Sequence, residues 1–171
     1  TLMALGANRI VMSDCSELGP IDPQIVLCDP NGNSARHSVL NYLRAYKQAG
    51  IELANHPDNP TAQETFARFD PVLAKKFESI ERRTRNVAEN LLKRHGTAYT
   101  KIAAELMNID QLPSHGQMIT WEMAQDMGLE VEFLGMDDPV WRQYWSLYCH
   151  LRLAIKPGQR IFESALVSLP M

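Results

Sequence analysis

Leu18-Gly19-Pro20-Ile21-Asp22-Pro23-Gln24 is the stretch on which the reading of this chain turns. Prolines on both sides of Ile21-Asp22 fix φ and remove backbone donors, and Gly19 admits conformations that other residues resist, so the segment reads as a stiff loop. It is neither helix nor central strand. Arg9-Ile10-Val11-Met12 just upstream reads as a short buried strand. That places the loop at a strand exit, where α/β proteins often keep their sites. Asp22 is a candidate for orienting a histidine, or for a conformational role between its prolines.

Working outward, residues 1–5 read as the end of a helix, Gln24–Cys28 as a second strand and Asp29-Pro30-Asn31-Gly32-Asn33-Ser34 as a turn cluster. From Ser34, a good N-cap, the helical spacing of Val39, Leu40, Leu43 and Tyr46 predicts an amphipathic helix that Gly50 stops. A polar, proline-rich and mobile loop is expected over Asn55–Pro60. Asp70-Pro71 combines a capping side chain with a first-turn proline and opens the longest helix, whose stripe Leu73, Phe77, Ile80, Thr84, Val87, Ala88, Leu91 and Leu92 runs to His95-Gly96. Its opposite face mixes acids and bases and reads as solvated. A shorter helix follows over Thr97–Met107, another over Thr120–Met127, and a strand over Leu129–Leu134. Asp138-Pro139 repeats the cap-plus-proline signal and launches Val140, Trp141, Tyr144, Trp145, Tyr148 and Leu151, large side chains nearly on one face. Such a face serves as core or as a subunit contact.

The chain has 171 residues, 45% of them hydrophobic, which suits a single α/β domain over residues 1–171 with a sizeable core. The net charge of −3 is spread over interspersed acids and bases. Without a basic stripe to neutralise phosphates, nucleic acid is not expected as a partner. Cys15, Cys28 and Cys149 lack CxxC spacing and read as reduced thiols of a cytoplasmic protein. No apolar run reaches the length of a membrane span, and no histidine pair has the HExxH spacing of a zinc site. Neither metal nor cofactor is therefore expected. GxSxG, GxGxxG and GxxxxGK[ST] motifs do not occur, which argues against a lipase, a dinucleotide enzyme and a P-loop NTPase.

Two ordered segments resemble one family. Ala4-Leu5-Gly6-Ala7-Asn8-Arg9-Ile10-Val11-Met12 followed by Ser16-Glu17-Leu18-Gly19-Pro20-Ile21-Asp22-Pro23-Gln24 is similar to the segment after the nucleophile in ClpP-class serine peptidases. The likeness is to the serine dehydrogenase proteinase family, relatives of signal peptide peptidase A. Leu112-Pro113-Ser114-His115-Gly116, continuing through Ile119, Ala124 and Gly128-Leu129-Glu130-Val131, resembles that family's closing segment. The resemblance implies a ClpP/crotonase-like fold, of which this chain carries the C-terminal half of the sheet, a helical arm over residues 61–107 and a C-terminal aromatic helix. It also implies an ATP-independent serine endopeptidase acting on extended peptide or protein segments, assembled as a homo-oligomer. The nucleophilic serine of that family lies in a small-residue run that Thr1 would end. It is therefore expected just upstream of Thr1, in a domain that looks N-terminally incomplete. A hydrophobic anchor further upstream would associate such a protein with a membrane.

Acyl transfer needs an activated nucleophile, a base within reach and donors for the oxyanion. His37, expected at the start of the first amphipathic helix, and His115, in Ser114-His115-Gly116, are the catalytic candidates, because histidine titrates near neutrality. Arg36 stays protonated and cannot act as a base. Absence of lysine between residues 1 and 46 departs from the Ser-Lys dyad of related members. Gly19, Pro20 and Asp22 are the substrate-binding candidates, on the expectation that a stiff loop beside the nucleophile helix walls a peptide groove and offers it backbone donors. Two other readings share the fold: a catalytically inactive oligomeric scaffold and a crotonase-type acyl-CoA enzyme.

Overall fold

The protein, seen in a computed structural model, is described over residues 1–28, 32–112, 115–155, 161–163 and 168–170, the last two stretches as backbone. It is a mixed α/β molecule of small sheets and several helices. A one-turn helix, α1 (Leu2–Leu5), leads into β1 (Ile10–Met12). Then come β2 (Gln24–Cys28), β3 (Ser34–Ser38) and the helices α2 (Val39–Asn55), α3 (Pro60–Ala67) and α4 (Pro71–Leu92). After a 3-10 turn at Lys93–His95 the chain forms α5 (Tyr99–Leu106), α6 (Trp121–Asp126), β4 (Val131–Phe133) and α7 (Pro139–Ala154). β5 (Ile161–Glu163) and β6 (Ser168–Pro170) pair antiparallel.

β1 pairs with β4 in parallel, Ile10 opposite Val131, and the Leu134 N–H extends the ladder to the Met12 carbonyl at 2.9 Å. Leu5, Ile10, Met12, Leu18, Ile21, Ala88, Leu92, Ile102, Leu106 and Ile119 make the main core around this pair. A second cluster, Val39, Leu43 and Phe77, is roofed by Ile25 and Leu27 of the β2–β3 hairpin. Phe77 is fully buried and takes the Tyr42 ring edge-on at 4.8 Å between centroids.

The stiff loop is where these parts are tied. Leu18 and Ile119 exchange backbone hydrogen bonds at 3.0 and 2.8 Å, the Ile21 N–H reaches the Leu106 carbonyl at 2.8 Å, and the Val39 N–H reaches the Pro23 carbonyl at 3.0 Å. Leu18 and Ile21 fill the core while the prolines ask for no donor partners. Gly19 is not among the positive-φ glycines. Left-handed backbone is not what selects glycine at that position.

Asp70 caps α4 as its sequence implies, accepting from the N–H groups of Val72 at 2.8 Å and Leu73 at 3.3 Å, and Asp138 does the same for α7. On the solvated face of α4, Lys75 pairs with Glu78 at 2.9 Å, and its hydrogen bond holds the Glu78 carboxyl below the ordinary glutamate value. Val87, assigned to the buried stripe, is 43% exposed, and Ala74 is buried in the stripe's place.

Several expectations need correction. The first long helix is capped by Ser38, whose Oγ accepts from the Asn41 N–H at 3.1 Å; Ser34 instead opens β3. Gly50 does not stop that helix. It lies inside α2, where a Cβ would stand 3.4 Å from the Phe66 ring, and the Tyr46–Phe66 stack at 5.5 Å joins α2 to α3. The polar loop expected over Asn55–Pro60 is present as the exposed turn His56–Asn59 between α2 and α3, with Asn59 capping α3 through the Thr61 N–H at 3.0 Å. His95, where the stripe of the longest helix ends, is buried, its Nε2 3.1 Å from the Leu5 carbonyl oxygen. Most of all, α7 is no core helix, since none of its 16 residues is buried. Asp29, Pro30 and Asn31 of the turn cluster, and Pro113 and Ser114 of the second family-like segment, lie outside the described residues. Among the described residues no helix is long and apolar enough to cross a membrane.

Candidate functional site

Asp22 and His115, far apart in sequence, meet beside the N-terminus of α1. The bonds from Leu18 to Ile119 and from Ile21 to Leu106 bring the two loops together, and His115 Nδ1 stands 3.7 Å from Asp22 Oδ2. The Asp22 side chain is only 7% exposed, whereas that of His115 is 58% exposed. A nearly buried carboxylate thus stands on the Nδ1 side of an accessible imidazole, at ion-pair distance. Both Asp22 oxygens are engaged. Oδ1 accepts from Ser38 Oγ at 2.6 Å, and Oδ2 accepts from Gln24 Nε2 at 3.1 Å.

A cavity of about 500 Å³ opens in front of this pair, lined among others by Thr1, Met3, Gly19, Pro20, Asp22 and His115, with Thr84 reaching in from α4. Thr84 was counted in the apolar stripe; its hydroxyl-bearing side chain is where that stripe meets the site. A smaller groove of about 340 Å³ continues from the pair along Gln24, Val26 and Arg36 of the hairpin.

Four of the five sequence candidates therefore come together: Gly19, Pro20, Asp22 and His115. His37 does not join them. It is an exposed residue of β3 opposite Ile25, and strand alternation turns it to the face opposite Arg36 and the groove. The expected helix start at His37 fails because the chain pairs with β2 until Ser38.

The role expected of the loop also changes. The Gly19 N–H is spent on Thr1 Oγ1 at 2.8 Å, and that hydroxyl donates back to the Gly19 carbonyl. Ile21 donates to Leu106, and Pro20 has no donor. The loop walls the cavity without offering it those donors. A Cβ at Gly19 would lie 3.8 Å from Thr1 Oγ1 and 3.9 Å from the His115 carbonyl oxygen, ordinary van der Waals distances, so close approach does not require glycine there either.

Sequence reasoning missed Gln24 and Ser38. Ser38 had a readable signal, because it directly precedes the apolar pair Val39-Leu40 that starts the helical period. Among the described residues no group of three His, Cys, Asp or Glu is placed to hold a metal ion.

In class, the chain is a mixed α/β protein with a carboxylate-backed histidine in an open cavity. Among known proteins it is similar to the uncharacterized protein MJ0137 of Methanocaldococcus jannaschii, 27% identical over 133 residues that cover 77% of this chain and 39% of the relative. The matched part thus spans well under half of that protein. No family model and no solved structure matches the chain.

Proposed function

We propose that this chain carries the base half of an ATP-independent serine endopeptidase with a ClpP/crotonase-like fold. The observation behind this reading is the Asp22–His115 pair facing the cavity that Thr1 lines. By the resemblance the nucleophile would lie just before Thr1, a residue that lines the same cavity as His115. His115 then takes the serine proton during attack on the scissile carbonyl and returns it to the leaving amine, while Asp22 holds the ring and balances the imidazolium. The oxyanion must be received by donors other than Gly19 and Pro20. An extended peptide would run from the cavity along the groove of Gln24, Val26 and Arg36.

The same reading makes the protein a homo-oligomer through α7. An inactive oligomeric scaffold is the second reading, because the exposed face of Tyr144, Trp145 and Tyr148 would serve assembly whether or not the site is active. A fluorophosphonate probe separates the two on the full-length protein. Labelling of a serine shortly before Thr1, lost in His115→Ala, supports the peptidase. A folded protein that takes no label supports the scaffold.

A further inference from the structure

Ser38 is bound in two directions at once. Its Oγ accepts from the Asn41 N–H at 3.1 Å, which caps α2, and donates to Asp22 Oδ1 at 2.6 Å. The Val39 N–H fixes the Pro23 carbonyl at 3.0 Å, so the backbone on either side of this contact is held as well. Through Ser38, the N-cap of the 17-residue α2, Asp22 is tied to the start of that helix.

We propose that Ser38 is a positioning residue that fixes the Asp22 carboxylate against His115 Nδ1. This rests on the peptidase reading of the site for its catalytic consequence, though not for its geometry. A carboxylate has two oxygens and can rotate about its Cβ–Cγ bond. Gln24 holds Oδ2 from an exposed side chain, which is a weak restraint. The Ser38 hydroxyl, half-buried at the strand-to-helix junction, holds Oδ1 from a backbone that β3 pairing and α2 fix on both sides. Oδ2 is thereby kept toward the imidazole. With Nδ1 facing a carboxylate, the Nδ1–H tautomer is selected and Nε2 is left unprotonated, as a general base requires. The device also ties the base to α2, because a shift of that helix moves Ser38 and with it the carboxylate.

The capping role and the positioning role separate by substitution. Ser38→Gly keeps most of the capping preference and removes the donor, Ser38→Ala removes both, and Ser38→Thr keeps both. The measurements are nitrogen-15 spectra of the His115 ring, kcat and KM on a peptide substrate, and melting temperature, all on the full-length protein. The expected result is that Ser38→Gly melts close to wild type, shows a mixture of His115 tautomers, and loses about 10- to 100-fold in kcat with little change in KM. Ser38→Thr restores both signals. An unchanged tautomer state in Ser38→Gly overturns the proposal, as does a loss in Ser38→Ala that tracks melting temperature alone. If wild type hydrolyses nothing while the tautomer shifts as expected, the peptidase reading falls and the positioning contact stands.

Discussion

The loop at Leu18–Pro23 and the helix at Pro139–Ala154 are both rigid on sequence grounds, yet they are held in opposite ways. The Leu18 N–H and carbonyl, the Ile21 N–H and the Pro23 carbonyl all have backbone partners in other parts of the chain, and Leu18 and Ile21 are buried within the core. The helix has a fine cap and an unbroken period, and yet leaves Val140, Tyr144, Trp145, Leu147 and Tyr148 about half exposed. One is fixed by what surrounds it, the other by its own hydrogen bonds. A site that must hold a carboxylate against an imidazole belongs on the first kind of element. A surface that meets a partner belongs on the second.

The largest effect should fall beneath the hairpin. Phe77→Ala removes a fully buried ring from the cluster that Ile25 and Leu27 roof, and should cost about 3–5 kcal/mol of unfolding free energy by urea titration. A loss below about 1 kcal/mol would mean that the hairpin carrying Gln24 and Ser38 is not anchored there, and the contrast with α7 would vanish. Next comes His115→Ala. Its side chain is more exposed than buried, so the melting temperature should hardly move, while turnover falls by roughly 10²-fold or more. An equal drop in stability would make His115 a structural residue. Third, Asp70→Ala removes the cap that accepts from Val72 and Leu73 and should cost about 1 kcal/mol, because it touches only the first turn of α4. Circular dichroism with urea would read it, and a cost like that of Phe77→Ala would show that the turn before α4 supports the core.

How much of this was legible follows the same division. Proline and aspartate signals act locally, so Gly19-Pro20, Asp70-Pro71 and Asp138-Pro139 announced a loop and two helix starts that the structure places within a residue. β3 gave no such sign. Ser34-Ala35-Arg36-His37 has no apolar alternation, and its strand exists because β2 offers a ladder. Reading Ser34 as the cap followed from that, and it carried His37 into the wrong setting. Asp22 and His115 were each visible, but their meeting depends on the Leu18–Ile119 bridge, a tertiary contact that one-dimensional periodicity does not encode. The exposure of α7 was hidden for the opposite reason. An apolar stripe states that a face wants cover and does not state which surface provides it.

The smallest change in stability, and the sharpest test of the comparison, belongs to that stripe. Replacing Trp141 and Trp145 together by Ser should alter the unfolding free energy of dilute protein by no more than about 0.5–1 kcal/mol, since neither side chain is buried within the chain. Mass should respond instead. Trp145 stacks on Tyr148 at 5.4 Å between centroids, and with Trp141 lines a largely apolar hollow of about 340 Å³ beside Cys15 and Met136. Aromatic rings at the centre of such a patch are the residues whose loss weakens association most. Light scattering should show the wild type as a homo-oligomer and the double variant as a smaller, folded particle. A wild type that scatters as a monomer at all concentrations would sink the oligomer, and a double variant that unfolds would show that α7 belongs with the loop after all.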